Sequence, residues 1–302
     1  MKTIKNIFTL LKKKPAFPRK KVLVLEGGGM RGIFPVGVLQ AFADRGYFPW
    51  KQVIGSSAGA LTGAAYVAGQ VYLARDAFFT TLLSNKFIHY KNLFRQDKHI
   101  IDLDWMLETI IKGSEQLDIK KLKQTCPLLI SATAIHEDKP PETIFLDTRK
   151  DDVLTALKAT AALPFLYRGF VQWNDCLLLD GGLLAPVPYQ KALSLGYKEK
   201  DILVVLTRPR GYRKKEESFW VRGLYERYYK DPKYDFLVKS LLNRYKTYNR
   251  IIDDLENTHK GIAVIYPPAD FEVQRLTRDE KKILEGFEQG VFAAVTYLRG
   301  SA

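Results

Sequence analysis

Residues 21–32 read KVLVLEGGGMRG, and the fold depends on how that stretch is parsed. It opens as an apolar run of strand length and stops at Glu26 and three glycines. Residues 33–45 then carry apolar side chains at helical spacing and end at Gly46. The same order recurs downstream. Residues 52–55 are a second apolar run, GSSAG follows at 55–59, and 58–68 reads as a helix of small residues. Further strands are expected at 127–135, 143–146, 176–179, 201–206 and 261–266. Helices are expected at 71–84, 101–111, 151–161, 188–195, 218–256 and 278–298. Strands alternating with helices predict an α/β chain with a mainly parallel sheet and helices on both of its faces.

A chain of 302 residues, 46% hydrophobic and 26% charged, can enclose a real core, which excludes disordered and collagen-like classes. Cys126 and Cys176 both lie in apolar runs, so no disulfide framework is expected and a cytoplasmic, reducing compartment is the default. The net charge of +14 is unevenly spread. Residues 1–21 hold eight basic groups and no acidic ones, and residues 208–250 hold thirteen basic and five acidic. No nucleic-acid-binding module accompanies these patches, and an anionic membrane surface suits them better. Ile4, Ile7, Phe8 and Leu11 follow the spacing of one apolar stripe among lysines, as in a short amphipathic helix. Residues 52–74 lack charge and are long enough to span a bilayer, but the glycines and the GSSAG turn inside them favour a buried strand, turn and helix.

Gly27-Gly28-Gly29-Met30-Arg31-Gly32 lies between an expected strand and an expected helix, where backbone N–H groups can face an anion. As a dinucleotide fingerprint it would need a carboxylate at the end of the next strand, where this chain has Val53-Ile54-Gly55-Ser56. A Walker A loop would need Gly-Lys-Ser/Thr, which is absent. An oxyanion hole and a plain tight turn stay open. Gly55-Ser56-Ser57-Ala58-Gly59 fits Gly-x-Ser-x-Gly, the strand-to-helix elbow that exposes a nucleophilic serine, and the spacing selects Ser57. Such a serine needs a base. Among His89, His99, His136 and His259, only His259 comes late enough for the order Ser…Asp/Glu…His, and it precedes a strand rather than following one. Asp180 is the stronger candidate. It ends an apolar run and precedes Gly181 and Gly182, and burial there would raise a carboxylate from ~3.9 toward useful basicity. A turn aspartate before two glycines is the plainer reading.

Three blocks, EGGGMRG at 26–32, GSSAG at 55–59 and DGG at 180–182, each set polar groups at the carboxyl end of a strand, where open α/β sheets keep their sites. On these blocks the chain resembles bacterial members of the patatin-like phospholipase family, from about residue 22 to residue 213. The resemblance implies a three-layer αβα sandwich and a Ser57–Asp180 dyad. It also implies an oxyanion hole from the amides of Gly28 and Gly29, with Arg31 in the family's basic position. Gly27, Met30, Gly32, Gly55, Gly59, Gly181 and Gly182 would support those groups. The implied activity is hydrolysis of carboxylic esters of glycerolipids or phospholipids through an acyl-Ser57 intermediate, with no cofactor and no metal. Three parts are then expected: a basic amphipathic segment at 1–21, a catalytic core at 22–213 and a C-terminal region at 214–302. That last region holds a basic, tyrosine-rich helical segment at about 218–256, then a strand and a helix against the core. Peripheral contact with the inner face of the membrane would run through 1–21 and 208–250. Two other readings stand beside this one: a Ser-His-Asp esterase using His259, and a non-catalytic lipid- or membrane-binding protein.

Overall fold

The computed structural model describes residues 17–300 apart from 90, 93, 94, 96, 97 and 113–115. The amphipathic stripe expected at Ile4, Ile7, Phe8 and Leu11 lies outside the described residues. The chain begins with β1 (Val22–Leu25), α1 (Ile33–Asp44), β2 (Gln52–Ser56), α2 (Ala58–Val67) and α3 (Val71–Phe79). It continues through α4 (Leu103–Lys112), α5 (Ile119–Thr125), β3 (Leu128–Ile135), β4 (Glu142–Asp147) and α6 (Val153–Ala161). Next come β5 (Val171–Trp173), β6 (Cys176–Asp180), α7 (Tyr189–Ser194) and β7 (Ile202–Val205). The final elements are α8 (Phe219–Tyr228), α9 (Asp235–Asn257), β8 (Ala263–Ile265) and α10 (Glu280–Arg299).

Successive residues of a strand face opposite sides of its sheet, so a strand covered on both faces must be apolar at every position. Every residue of β1 is buried: Leu23 and Leu25 join Phe34, Phe42, Ala64 and Leu157 on one face. Val22 and Val24 join Tyr189, Ala192, Tyr248 and Ile252 on the other. The result is an αβα sandwich, with α1, α2 and α6 on one side and α7 and α9 on the other. Aspartates fix where two helices start. Asp152 accepts the Thr155 N–H at 2.7 Å to open α6, and Asp279 accepts the Lys281 and Lys282 amides at 3.0 and 3.2 Å to open α10.

The sheet runs in the order β5-β6-β3-β2-β1-β7-β8, with β4 also paired to β3. Strands β3, β2, β1, β7 and β8 are parallel, whereas β4 and β6 pair antiparallel to β3, and β5 antiparallel to β6. Residues 261–266 were expected as a strand, and β8 extends the sheet beside β7 while α10 packs along α1. Strand β5, three residues long, was not expected, and neither was α5, of which only Leu122 is buried. The helix expected at 71–84 ends at Phe79, and the one expected at 218–256 is broken between α8 and α9. There Asp231 caps a tight turn that Pro232 opens, and proline has no amide to continue a helix. Tyr225, Tyr229 and Tyr248 of this basic segment are buried. The uncharged run 52–74 is β2, its turn, α2 and the start of α3. Among the described residues no helix is long and apolar enough to cross a membrane.

Candidate active site

Ser57 and Asp180 are far apart in sequence, and strand β3 joins them. Its first half pairs with β2 and places Ser56 opposite Ser131. Its second half pairs with β6 and places Asp180 opposite Ala132. The ends of β2 and β6 therefore meet on adjacent residues of one strand, so the residue after β2 and the last residue of β6 share a point on the sheet.

At that point Ser57 turns the chain from β2 into α2 with φ 52° and ψ −128°, a conformation that costs a non-glycine residue about 1–3 kcal/mol. Neighbours hold it there. Its amide donates to Thr160 Oγ1 at 2.8 Å, and Gly59 lets α2 approach β1 so closely that a Cβ would fall 2.6 Å from the carbonyl oxygens of Leu25 and Glu26. The Ser57 hydroxyl is not spent on capping α2.

Asp180 is 2% exposed. Its amide donates to the Ala162 carbonyl at 3.0 Å, its carbonyl accepts the Thr133 hydroxyl at 2.9 Å, and Oδ1 accepts the Gly182 amide at 2.6 Å. Oδ2 is buried without a hydrogen-bond partner among the described residues. Burial pushes the carboxyl up to about 6, against the opposing pull of the Ser57 hydroxyl, the Gly182 amide, Arg275 and Arg244. The Ser57 hydroxyl thus favours the charged form of this carboxyl. At neutral pH the group is an ionised carboxylate with more basicity than an exposed one.

The glycine turn closes over the same spot. Gly29 takes φ +58°, and a Cβ there would meet the Arg275 carbonyl at 2.7 Å. The Gly27 amide donates to the Pro186 carbonyl at 3.2 Å and that of Met30 to the Arg275 carbonyl at 3.0 Å. The amides between them, of Gly28 and Gly29, find no partner among the described residues, and both glycines line the cleft with Ser57, Asp180 and Gly182. Arg31 is buried in the same cleft. So is Glu26, whose Oε2 accepts the Thr207 amide at 2.5 Å.

No histidine reaches this place. His259 Nδ1 bonds Glu199 Oε1 at 2.8 Å and its Nε2 faces Asp254 at 3.5 Å, with Tyr189 edge-on. His99 accepts the Arg168 amide and stacks on Tyr167, and His136 pairs with Glu142. His89 sits in the loop before α4, where its amide donates to the Ile100 carbonyl. None of the four lines the cleft around Ser57. No group of three or more metal-ligating side chains occurs among the described residues.

Ser57 lies between two unlike cavities. One flank is the polar cleft, to which Arg208, Lys214, Arg244, Tyr248 and Arg275 also contribute. The other is apolar, formed by Met30, Leu61, Phe87, Met106, Leu166 and Leu276 among others. A further apolar cavity shares Ala58, Leu61, Leu82 and Met106 with it and leads on to Leu73, Phe78 and Leu157. The sequence reading missed Thr160 and the cations beyond residue 207. Thr160 is one ordinary residue of a helix, and the cations carry no motif beyond basic composition.

The model of the patatin-like phospholipase family matches residues 23–193, and a domain of unknown function, DUF6363, matches residues 234–299. The uncharacterized protein YjjU of Escherichia coli (strain K12) is 29% identical over 258 residues, which are 84% of this chain and 70% of that protein. An uncharacterized NTE family protein of Mycobacterium tuberculosis is 26% identical over 175 residues, 55% of this chain. The match spans 43% of the mycobacterial protein, less than half its length. The crystal structure of VipD from Legionella pneumophila superposes with a TM-score of 0.53 at 16% identity, covering 94% of this chain and 67% of that one, a likeness of fold. With the family model covering more than half of its residues, the chain belongs to the patatin-like phospholipase family.

Proposed function

We propose that this chain is a serine lipid acyl hydrolase, with Ser57 as nucleophile, Asp180 as base and the amides of Gly28 and Gly29 as the oxyanion hole. The observation that carries the reading is the register on β3, which brings the hydroxyl-bearing elbow and the buried carboxylate together. Family membership supports a lipid ester as substrate. The apolar cavities against Ser57 support a long acyl chain.

In the first half-reaction Ser57 Oγ attacks the ester carbonyl carbon while its proton passes to the Asp180 carboxylate. The carbonyl oxygen becomes negative and is held by the Gly28 and Gly29 N–H groups. A backbone donor of this kind is worth roughly 10²–10³ in kcat. Collapse expels the alcohol, which leaves with the proton from Asp180, and acyl-Ser57 remains. Water then attacks the acyl carbon and gives a proton to Asp180. The second collapse returns that proton to Ser57 Oγ and releases the fatty acid.

Turnover of a glycerolipid ester tests the reading. Ser57→Ala and Asp180→Asn should each lower kcat by roughly 10⁴ or more, the scale of losing one member of a catalytic triad. Unchanged turnover in either variant ends it.

Phe219 and Trp220, each 80% exposed at the start of α8, lie within the basic stretch 208–250. They support peripheral contact with an anionic bilayer, whose interface takes aromatic rings and cations together. Replacing both by serine should reduce co-sedimentation with vesicles containing anionic lipid, and sedimentation that does not change contradicts the contact.

A further inference from the structure

The polar flank of Ser57 is crowded with cations. Arg31, Arg208, Lys214, Arg244 and Arg275 all line it. Three carboxylates face them. Glu217 pairs with Arg244 at 2.8 Å, Glu26 is engaged by the Thr207 amide at 2.5 Å, and Asp180 is committed to Ser57 in the reading above. Four arginines against three carboxylates leave the balance positive, and the basic groups feel one another. Burial, then Arg208 and Arg275, push the Arg31 guanidinium down to about 9 against the pull of Glu26 and Tyr248. Burial, then Arg244, Arg275 and Arg208, push Lys214 down to about 6, with Glu26 opposing, so near pH 7 the positive charge of the flank rests on the four arginines. Arg275 is lowered by burial and Arg244, with Asp180 and Tyr225 opposing.

Arg31 lines the cleft and is 5% exposed, and its buried Nε has no hydrogen-bond partner among the described residues. A buried guanidinium with a free donor is costly unless an acceptor comes to it. Aromatic rings help fix the cations in place: Arg208 lies 3.8 Å over the Tyr212 ring and Lys214 4.8 Å over Tyr248. Guanidinium forks suit an anion that offers several oxygens at once.

We propose that this flank is a phosphate-binding subsite, filled either by a phosphate on the alcohol half of the ester or by free phosphate. The inference rests on the acyl hydrolase reading for its orientation. An ester carbonyl at Ser57 has two substituents, and with the acyl chain in the apolar cavities the alcohol half faces the cations. Of the five basic residues only Arg31 lies within the residues matched by the family model, so four of them come from outside it.

Hydrolysis of a monoacylglycerol and of the same monoacylglycerol bearing a terminal phosphate, each with and without inorganic phosphate, tests the subsite. A phosphate on the alcohol half should raise kcat/KM by roughly tenfold or more, and Lys214→Met or Arg244→Gln should shrink that ratio by about the same factor. Inhibition of neutral-ester turnover by inorganic phosphate, with no preference for the phosphate-bearing ester, assigns the subsite to the free anion. A ratio near one with no inhibition overturns the subsite while leaving the Ser57 chemistry standing. If the wild-type protein turns over neither ester, its Tm still reads the subsite without any variant. Inorganic phosphate should raise that Tm more than sulfate-free chloride of equal ionic strength, and equal values overturn the proposal.

Discussion

The two walls of the cleft are built in different ways. The wall from residues 23–193 is largely backbone: a strained elbow at Ser57, the amides of Gly28 and Gly29, which have no partner among the described residues, and a strand register that delivers Asp180. The wall from residues beyond 207 is side chain, with Arg208, Lys214, Arg244 and Arg275 reaching in from β7's end, α9 and the loops. Backbone machinery depends on glycines and close approach, so it tolerates few substitutions. A wall of side chains can be re-chosen one residue at a time without disturbing the elbow. In the proposed reading, chemistry and choice of substrate are thereby separated in space, around one hydroxyl.

The largest effect should follow a change to the backbone wall. Gly59→Ala puts a methyl group against two carbonyl oxygens of β1 and should destabilise the protein by about 3 kcal/mol or more, read as a fall in urea midpoint. Asp180→Asn should act in the opposite direction on stability. The folded carboxyl lies at about 6 and its ordinary value is 3.8, so between these pH values the native state binds more protons than the unfolded one. Stability therefore falls as pH rises through that window. The asparagine variant escapes the loss and should be on the order of 2–3 kcal/mol more stable than wild type at pH 7, with no such gain near pH 4. Equal stability at pH 7 would mean that burial of this carboxylate is not strained.

Smaller effects sharpen the contrast. Thr160→Val leaves the Ser57 amide without its acceptor and should lower kcat by roughly tenfold with little change in KM, since the elbow is displaced rather than the substrate cavities. On the apolar flank, Leu61 touches both cavities. Leu61→Trp should cut turnover of long-chain esters severalfold relative to short-chain ones. An unchanged chain-length profile would place the acyl chain elsewhere.

Much of the backbone wall was legible in the sequence, because turns that need glycine leave glycine behind. The apolar run before Gly27 and the Gly55-x-Ser57-x-Gly59 spacing point to their turns directly, and the mainly parallel sheet with helices on both faces follows from the alternation of strands and helices. The antiparallel strands were less legible. Strand β5 spans three residues, too few for a period to register, and β6 reads the same whichever way its neighbour runs. The break at Asp231-Pro232 was visible as residues, but the apolar spacing on either side masked it. The cationic wall had no local signature at all. Arg244 on α9 and Arg275 in the loop between β8 and α10 are neighbours only in the folded chain; composition registered Arg244 within the basic stretch 208–250 and did not register Arg275.

The central claim is that Ser57 and Asp180 act as one unit, and covalent labelling with a fluorophosphonate, followed by intact mass, reads it most directly. Wild type should gain a single adduct on Ser57, at a rate that rises with pH through about 6 as the carboxylate ionises. Ser57→Ala should take none, and Asp180→Asn should label slowly at every pH. Labelling of Asp180→Asn at the wild-type rate, or an adduct on another residue, would contradict the account.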